Sequence, residues 1–173
     1  VDLKEAFFAF IDSISVGSPL TFTYNTWFEN MGKKMTADGT SRLFEEVYTK
    51  LNAQGAAPHC YVVDDGWCNY KAKFWDYSKK FPNGLADLSE QVGAYGAGIG
   101  LWLSPRGGYT KNAKLGRKLE KAGNGFFNED AQEICCASAK YTEKLCDFMI
   151  EQTNKYGVAC FKLDGFALAP CHE

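Results

Sequence analysis

The sequence lacks an excess of charge of either sign. Its 173 residues include 19 basic and 21 acidic side chains, which give a net charge of −2, and the Lys and Arg residues are scattered along the chain. A protein that binds nucleic acid usually carries a basic patch, so we expect no nucleic-acid partner. The hydrophobic fraction of 46% argues against a disordered chain and indicates one domain with a core.

Long hydrophobic runs are missing as well. No stretch approaches the roughly 20 apolar residues that span a bilayer, so we expect no membrane segment. The first residues, VDLKEAFFAFIDSI, differ from a signal peptide, because acidic residues interrupt the apolar stretch and no basic region precedes it. The compartment stays open, with a cytoplasmic location and export both compatible with the sequence.

The cysteines follow no metal-binding pattern. The chain has seven Cys and only two His, and it contains no C-x-x-C spacing, which structural zinc sites commonly use. Several of the cysteines lie in apolar runs, where a thiol behaves as a small hydrophobic side chain. We therefore expect mostly free, buried thiols and no cofactor. The seven are Cys60, Cys68, Cys135, Cys136, Cys146, Cys160 and Cys171.

Apolar strands alternate with helices along the chain. Short apolar strands of this kind are typical of a parallel sheet that helices cover on both faces. Such a sheet is either doubly wound or closed into a (β/α)₈ barrel. The patterns predict helices at 2–13, 40–54, 85–95, 112–122 and 137–156, and strands at 20–27, 59–63, 98–103 and 158–163.

The turn after the first predicted strand favours the barrel. A doubly wound sheet that binds nucleotides has a glycine-rich phosphate turn at this point, whereas this chain has Asn25-Thr26-Trp27. A complete barrel takes roughly 250 residues, and we predict only four strands. The predicted fold is therefore α/β, of the (β/α)₈ TIM-barrel type, with residues 1–173 forming a single domain that covers about the first four β/α units.

Each predicted strand ends in polar or aromatic residues. Because the active sites of (β/α)₈ barrels lie at the C-terminal ends of the strands, these residues would line one cleft rich in carboxylates and tryptophans. They are Asn25 and Trp27, Asp64 and Asp65, Trp102 and Arg106, and Lys162 and Asp164.

Lys162 and Asp164 form the most unusual of these pairs. Residues i and i+2 of a strand point to the same side, and a buried carboxylate is costly unless it is paired or has a task. A neighbouring lysine keeps a carboxylate ionised and lowers its pKa, so Asp164 suits the role of nucleophile or general base. The pattern alone is equally compatible with a structural ion pair.

The string Asp64-Asp65-Gly66-Trp67 allows two interpretations. It is either an ordinary turn or a site in which carboxylates bind sugar hydroxyls while the tryptophan stacks on the apolar face of the sugar. Trp27 and Trp102, which lie at the ends of other predicted strands, favour the second interpretation. The carboxylates also suit Mg²⁺ or Ca²⁺. The only two histidines are His59, which begins the second predicted strand, and His172. We expect neither a metal site nor, without a G-x-S-x-G motif, a serine hydrolase.

Four motifs resemble a known family. The strings YNTWFEN, VVDDGWC, KFPNGLADLSEQVGAYGAGIGLWLSP and CFKLDGF are similar, in order and spacing, to the catalytic barrel of melibiase-type α-galactosidases. These are retaining glycoside hydrolases related to the raffinose-family enzymes. The resemblance extends from about Leu20 to Phe166 and implies the N-terminal half of a (β/α)₈ barrel.

The resemblance also implies roles for individual residues. Asp164 would be the nucleophile that forms a covalent glycosyl-enzyme, and Lys162 would contact sugar hydroxyls. The remaining residues would bind an oligosaccharide or glycoconjugate substrate. With Lys162, the expected substrate-binding residues are Asp64, Asp65, Trp27, Trp102, Trp67 and Arg106.

The chain departs from the family pattern in three places. The acid/base aspartate of the family follows a later strand, so we expect it outside this sequence. Where many members have Glu-Pro-Glu, this chain has Ser104-Pro105-Arg106, and after the nucleophile it has Gly165-Phe166 instead of an asparagine. These differences extend the expected substrates from α-galactosides to related α-glycosides.

Two further functions remain compatible with the sequence. One is a transglycosylase of the raffinose-synthase kind, which uses the same nucleophile but passes the sugar to an acceptor. The other is a non-catalytic carbohydrate-binding module with a degenerate barrel. Since half a barrel exposes two open sheet edges, we also expect a homo-oligomer when this segment is made alone.

Overall fold

The computed structural model describes most of the chain as one α/β unit. The elements are the helices α1 Leu3–Ile14, α2 Ala37–Asn52, α3 Ala86–Ala94 and α4 Ala139–Tyr156, and the strands β1 Thr23–Asn25, β2 Cys60–Val63, β3 Gly98–Leu103, β4 Phe127–Asn128, β5 Glu133–Ile134 and β6 Val158–Leu163. The described residues are 2–17, 20–29, 34–69, 74–108, 123, 125–130 and 133–165.

Four strands form a parallel sheet in the order β1-β2-β3-β6. Every neighbouring pair in this sheet is parallel, so the carboxyl ends of the four strands lie at one edge. The predicted α/β fold with a parallel sheet is confirmed, and the closed barrel stays a prediction. No helix within the described ranges is apolar and long enough to traverse a bilayer.

The two faces of the sheet carry different residues. Side chains that alternate along the strands pack with Phe44 of α2 and Leu88 of α3 in the hydrophobic core; we call this side the helix face. It includes Tyr61 and Val63 of β2, Ile99, Leu101 and Leu103 of β3, and Val158 and Phe161 of β6. The alternate residues of the same strands point to the opposite side, which we call the site face.

A β-bulge decides which residues of β6 reach the site face. Ile99 pairs with Val158 and the next residue of β3, Gly100, pairs with Cys160, so Ala159 is an extra residue. Val158 lies in the core on the helix face. A regular strand would therefore put Lys162 on the helix face too, because it follows Val158 by four residues. The extra residue turns Lys162 and Asp164 to the site face instead.

Some elements differ from the sequence-based expectations. The helix α2 begins at Ala37, because Thr36, and not Thr40 or Ser41, caps it by accepting a hydrogen bond from the Gly39 amide. The antiparallel pair β4–β5 was not predicted. The helix α1 forms as predicted, and it has no buried residue. The predicted helix at 112–122 lies outside the described residues.

The cysteines agree with the expectation of free thiols, but only three of the six described are buried and Cys146 is exposed. All six that the structure describes are free, and Cys171 lies outside the described residues. Burial, and then the neighbouring Cys160 thiol, raise the pKa of Cys60 to about 12. Burial also raises the pKa of Cys68 to about 12. These thiols stay protonated near neutral pH and act as core side chains.

The FPNGL motif has a structural role, which predicts a large effect of Gly84→Ala. Gly84 has φ +62°, and a Cβ added there would lie 2.2 Å from the hydroxyl oxygen of Tyr156, which is 8% exposed. Because Tyr156 has little room to move, we expect Gly84→Ala to lower the free energy of unfolding by about 2–4 kcal/mol. Urea unfolding measures this loss.

Gly55 provides the matched control for this prediction. Its φ is +72°, yet nothing lies within 4 Å of an added Cβ. Gly55→Ala therefore introduces the backbone strain alone, about 1 kcal/mol. Equal losses for the two variants would show that the contact with Tyr156 does not matter.

Candidate active site

Asp64 lies at the carboxyl end of β2 and is held from three sides. Its amide donates a 2.9 Å hydrogen bond to Thr26 Oγ1, and its Oδ1 accepts from the Asp65 amide at 2.7 Å. Its Oδ2 accepts from Lys162 Nζ, also at 2.7 Å. The Asp64 side chain is only 2% exposed, against 39% for Lys162, so the lysine links a buried carboxylate to the surface of the site.

The register of the sheet explains how Lys162 reaches Asp64. Lys162 pairs with Trp102 on β3, and Asp64 follows Val63, which pairs with Leu101. The three residues are therefore level on adjacent strands. The lysine side chain crosses two strand spacings, about 9.5 Å between backbones, and its length makes this contact possible.

Asp164 is attached to the end of β3. Its amide donates to the Leu103 carbonyl at 3.1 Å, and its Oδ2 accepts from the Trp102 indole Nε1–H at 3.3 Å. The residue Asp164 is half-buried. Trp102 itself is 2% exposed, which does not support the predicted contact of its ring with a sugar, and its indole instead orients a carboxylate through its N–H.

Ser104 is a buried residue that joins the two strand ends. Its hydroxyl accepts from the Gly108 amide at 2.9 Å and donates to the Gly165 carbonyl at 3.4 Å, and the residue is 1% exposed. The Ser104 side chain is thus engaged within the protein. Arg106 lies half-buried in the same segment, 104–108.

The predicted role of Trp67 as a sugar-stacking platform needs correction. The residue has no exposed surface, and its ring lies 4.8 Å from that of Tyr77 and 6.0 Å from that of Phe148. Its Nε1–H donates to the Trp102 carbonyl at 2.9 Å. Trp67 therefore supports β3 from within the core, where a ligand has no access to its ring.

Two other predicted residues remain accessible. Trp27 lies in the 3₁₀ turn Thr26–Glu29 after β1, where its amide donates to Asn25 Oδ1 at 2.7 Å. Its side chain is 56% exposed and therefore available for stacking. Asp65 is half-buried beside Asp64. The structure thus brings Asp64, Lys162 and Asp164 together and leaves Trp27 on the surface of its own loop.

Four residues that support this site have no role that the sequence alone predicts. Thr26 binds the Asp64 amide, Ser104 binds the Gly165 carbonyl, and Trp75 Nε1–H donates to the Ser104 carbonyl at 3.0 Å. The Tyr141 hydroxyl donates to the Pro105 carbonyl, and burial raises the pKa of Tyr141 above its ordinary value, so it stays a donor. These contacts join segments that are far apart in the sequence, so only the folded structure shows them.

The arrangement combines an anchored carboxylate with a nearby cation on adjacent strand ends. Such a site can bind hydroxyl groups through Lys162 and Asp65 and can present Asp164 to an electrophilic carbon. Within the described ranges, no three His, Cys, Asp or Glu residues are grouped as metal ligands would be. A groove of about 630 Å³ elsewhere, between α4 and residues 74–77, is lined by none of the predicted site residues.

Comparison with known proteins gives structural neighbours only. No protein-family model matches the sequence, and no curated protein matches it. Among solved structures, the chain is similar to TtGalA, an α-galactosidase from Thermus thermophilus solved in complex with p-nitrophenyl α-D-galactopyranoside. The TM-score is 0.68 at 17% identity, over 93% of this chain and 34% of that chain.

A second neighbour belongs to the same kind of enzyme. It is the GH36 α-galactosidase AgaB from Geobacillus stearothermophilus, with a TM-score of 0.61 at 17% identity over 84% of this chain and 21% of that chain. The chain therefore spans about a third of one neighbour and a fifth of the other. At this identity, the likeness shows a shared α/β fold with a parallel sheet, of the kind found in part of these α-galactosidases.

Proposed function

We propose that this chain forms the nucleophile-bearing part of a retaining glycoside hydrolase that acts on α-linked galactosides or related α-glycosides. The observation that carries the proposal is the position of Asp164. Its carboxylate accepts a hydrogen bond from Trp102, whose strand lies between the one that ends before Asp64 and the one that carries Lys162. All three strands end at the carboxyl edge of the parallel sheet, where barrel enzymes have their sites. The fold shared with two α-galactosidases supports it.

In the proposed reaction, a carboxylate oxygen of Asp164 attacks the anomeric carbon of the sugar. A C–O bond forms to Asp164 while the bond to the leaving oxygen breaks, and a general acid gives that oxygen its proton. Water then attacks the same carbon, transfers a proton to the conjugate base and releases Asp164. In retaining enzymes the two carboxyl groups lie about 5–5.5 Å apart, and by resemblance the acid follows a later strand.

The neighbouring residues divide the binding of the sugar between them. Lys162 Nζ is an ammonium group with three donors, one of which is used by Asp64, so it can donate to sugar hydroxyls. Asp65 can accept from them. We assign Asp64 the task of holding Lys162 in place, since the Asp64 side chain is only 2% exposed, and we assign Trp27 the stacking contact.

Covalent trapping tests this function directly. The full-length protein that carries this chain is incubated with an α-galactosyl fluoride that has a second fluorine on the ring. Fluoride leaves without protonation, and the ring fluorine slows release of the ester, so a retaining enzyme accumulates the glycosyl-enzyme. We expect the protein mass to rise by one fluorosugar and the peptide containing Asp164 to carry it, with no label on Asp164→Asn.

The other outcomes separate the alternatives. Labelling by a different α-glycosyl fluoride keeps the mechanism and changes the sugar. Sugar binding without labelling indicates a carbohydrate-binding module, and products that grow only when an acceptor sugar is added indicate a transglycosylase. A label on another carboxylate refutes the assignment of Asp164.

A further inference from the structure

Trp75 has a backbone conformation that bulky residues rarely adopt. Its φ is +57°, and among the described residues it is the only one other than glycine with a positive φ. The left-handed region is unfavourable for a side chain with a Cβ. Trp75 is also 4% exposed, so its surroundings hold it there. Conformations of this kind persist where the rest of the structure compensates for them, and they cluster at functional sites.

In this conformation the indole N–H of Trp75 reaches the segment that follows β3. Nε1–H donates to the Ser104 carbonyl at 3.0 Å, while the ring packs 5.3 Å from Phe148 and 6.0 Å from Tyr141. The Tyr141 hydroxyl donates to the next carbonyl, that of Pro105. Two buried aromatic donors therefore fix two successive carbonyls at the end of β3.

Ser104 connects these donors to Asp164. Leu103 pairs with Leu163, so Ser104 and Asp164 are level as they leave their strands. The Ser104 hydroxyl donates to the Gly165 carbonyl at 3.4 Å, and the Asp164 amide donates to Leu103 at 3.1 Å. A displacement of Ser104 would therefore move the backbone on both sides of the Asp164 side chain.

We propose that Trp75 is a positioning residue for Asp164. Its indole fixes the Ser104 carbonyl, and the Ser104 hydroxyl in turn fixes the Gly165 carbonyl beside the attacking carboxylate. This inference rests on the proposed function, because Asp164 needs accurate positioning only if it attacks the sugar. In that role the accuracy matters, since a misplacement of about 1 Å costs roughly 100-fold in rate.

The test measures the rate constant of covalent trapping in the full-length protein. Trp75→Phe keeps an aromatic ring and removes the donor. We expect its trapping rate constant at saturating fluorosugar to fall about tenfold or more, while the half-saturating concentration changes by less than about twofold because Lys162 and Asp65 are unaltered. A merely structural role would lower the labelled fraction and leave the rate constant of folded molecules unchanged.

Tyr77→Phe is the matched control. Tyr77 belongs to the same loop, and its hydroxyl donates to Gln152 Oε1 at 2.6 Å, so this variant also loses a partly buried hydrogen bond. This hydroxyl binds a residue of α4 and not the segment 104–108, so we expect Tyr77→Phe to be trapped at the rate of the wild type.

A second variant keeps the proposal testable if Trp75→Phe does not fold. Ser104→Ala removes only the hydroxyl, which donates to the Gly165 carbonyl and accepts from the Gly108 amide, and we expect it to slow trapping as Trp75→Phe does. Trapping of Trp75→Phe or of Ser104→Ala at the wild-type rate overturns the positioning role. Failure of the proposed function looks different, because the wild type itself then acquires no label on Asp164.

Discussion

Asp164→Gly is expected to abolish hydrolysis of an aryl α-galactoside by the full-length protein and to become active again in azide. Removal of a nucleophile typically costs about 10⁴-fold or more in turnover. Glycine leaves a space beside Trp102 that azide can enter. Azide then attacks the anomeric carbon as the aryl oxygen leaves, and this single displacement gives the β-glycosyl azide, which chromatography and NMR identify.

The control for this prediction is another carboxylate in the same protein. Asp147 is an exposed residue of α4 that lines the groove away from the site, and Asp147→Gly tests whether loss of a carboxylate in general matters. We expect it to keep near wild-type turnover and to form no azide product. Turnover by Asp164→Gly within tenfold of the wild type would remove Asp164 from the mechanism.

The placement of polar residues along one edge of the sheet was predictable from the sequence, because it depends on residue types at strand ends. Apolar strands that stop at Asp64 or Asp164 indicate a parallel sheet whose carboxyl edge carries the polar residues. The parallel sheet is present, and Lys162 meets Asp64 across two strands. The pairing partner was not predicted, because the Lys-x-Asp spacing directs attention to Asp164 and gives no information on β2.

The face on which the site forms was not predictable. Strict alternation from Val158, a core residue, would place Lys162 on the helix face. The extra residue Ala159 reverses this, and nothing in the string VACFKL marks it. Bulges depend on the fit between two strands. Here a Cβ at Gly100 would lie 2.8 Å from Val62 and 3.1 Å from the Cys60 sulfur, so the absence of a side chain there is needed for the close packing.

The roles of the tryptophans were predicted less well than their positions. The sequence places Trp27, Trp67 and Trp102 at or just after strand ends, yet a strand end gives no information on whether an indole faces solvent or core. Trp27 is 56% exposed and Trp67 is fully buried. Trp67 and Trp75 instead donate to carbonyls of β3 and its following segment. An indole buries a large apolar area and needs a partner for its N–H, which suits this supporting role.

The Asp64–Lys162 pair is asymmetric in its exposure to solvent, and this asymmetry determines how much the loss of each partner lowers the free energy of unfolding. Loss of the lysine leaves a carboxylate that is 2% exposed, whereas loss of the carboxylate leaves a lysine that is 39% exposed and can reach water. Breaking a buried pair from one side is costly because it leaves an uncompensated charge, and exposure of the lysine end reduces that cost.

Lys162→Met is therefore expected to lower the free energy of unfolding by about 2–3 kcal/mol, and Asp64→Asn by roughly 1 kcal/mol, in urea unfolding followed by tryptophan fluorescence. The double variant should lose less than the sum of the two, because the new amide then faces no cation and the new thioether faces no buried charge. Lys50→Met breaks the exposed Lys50–Glu46 pair and should change little. Additive losses for the two substitutions would mean that the side chains are not coupled in the folded protein, and Lys162 would then be held in place by something other than Asp64.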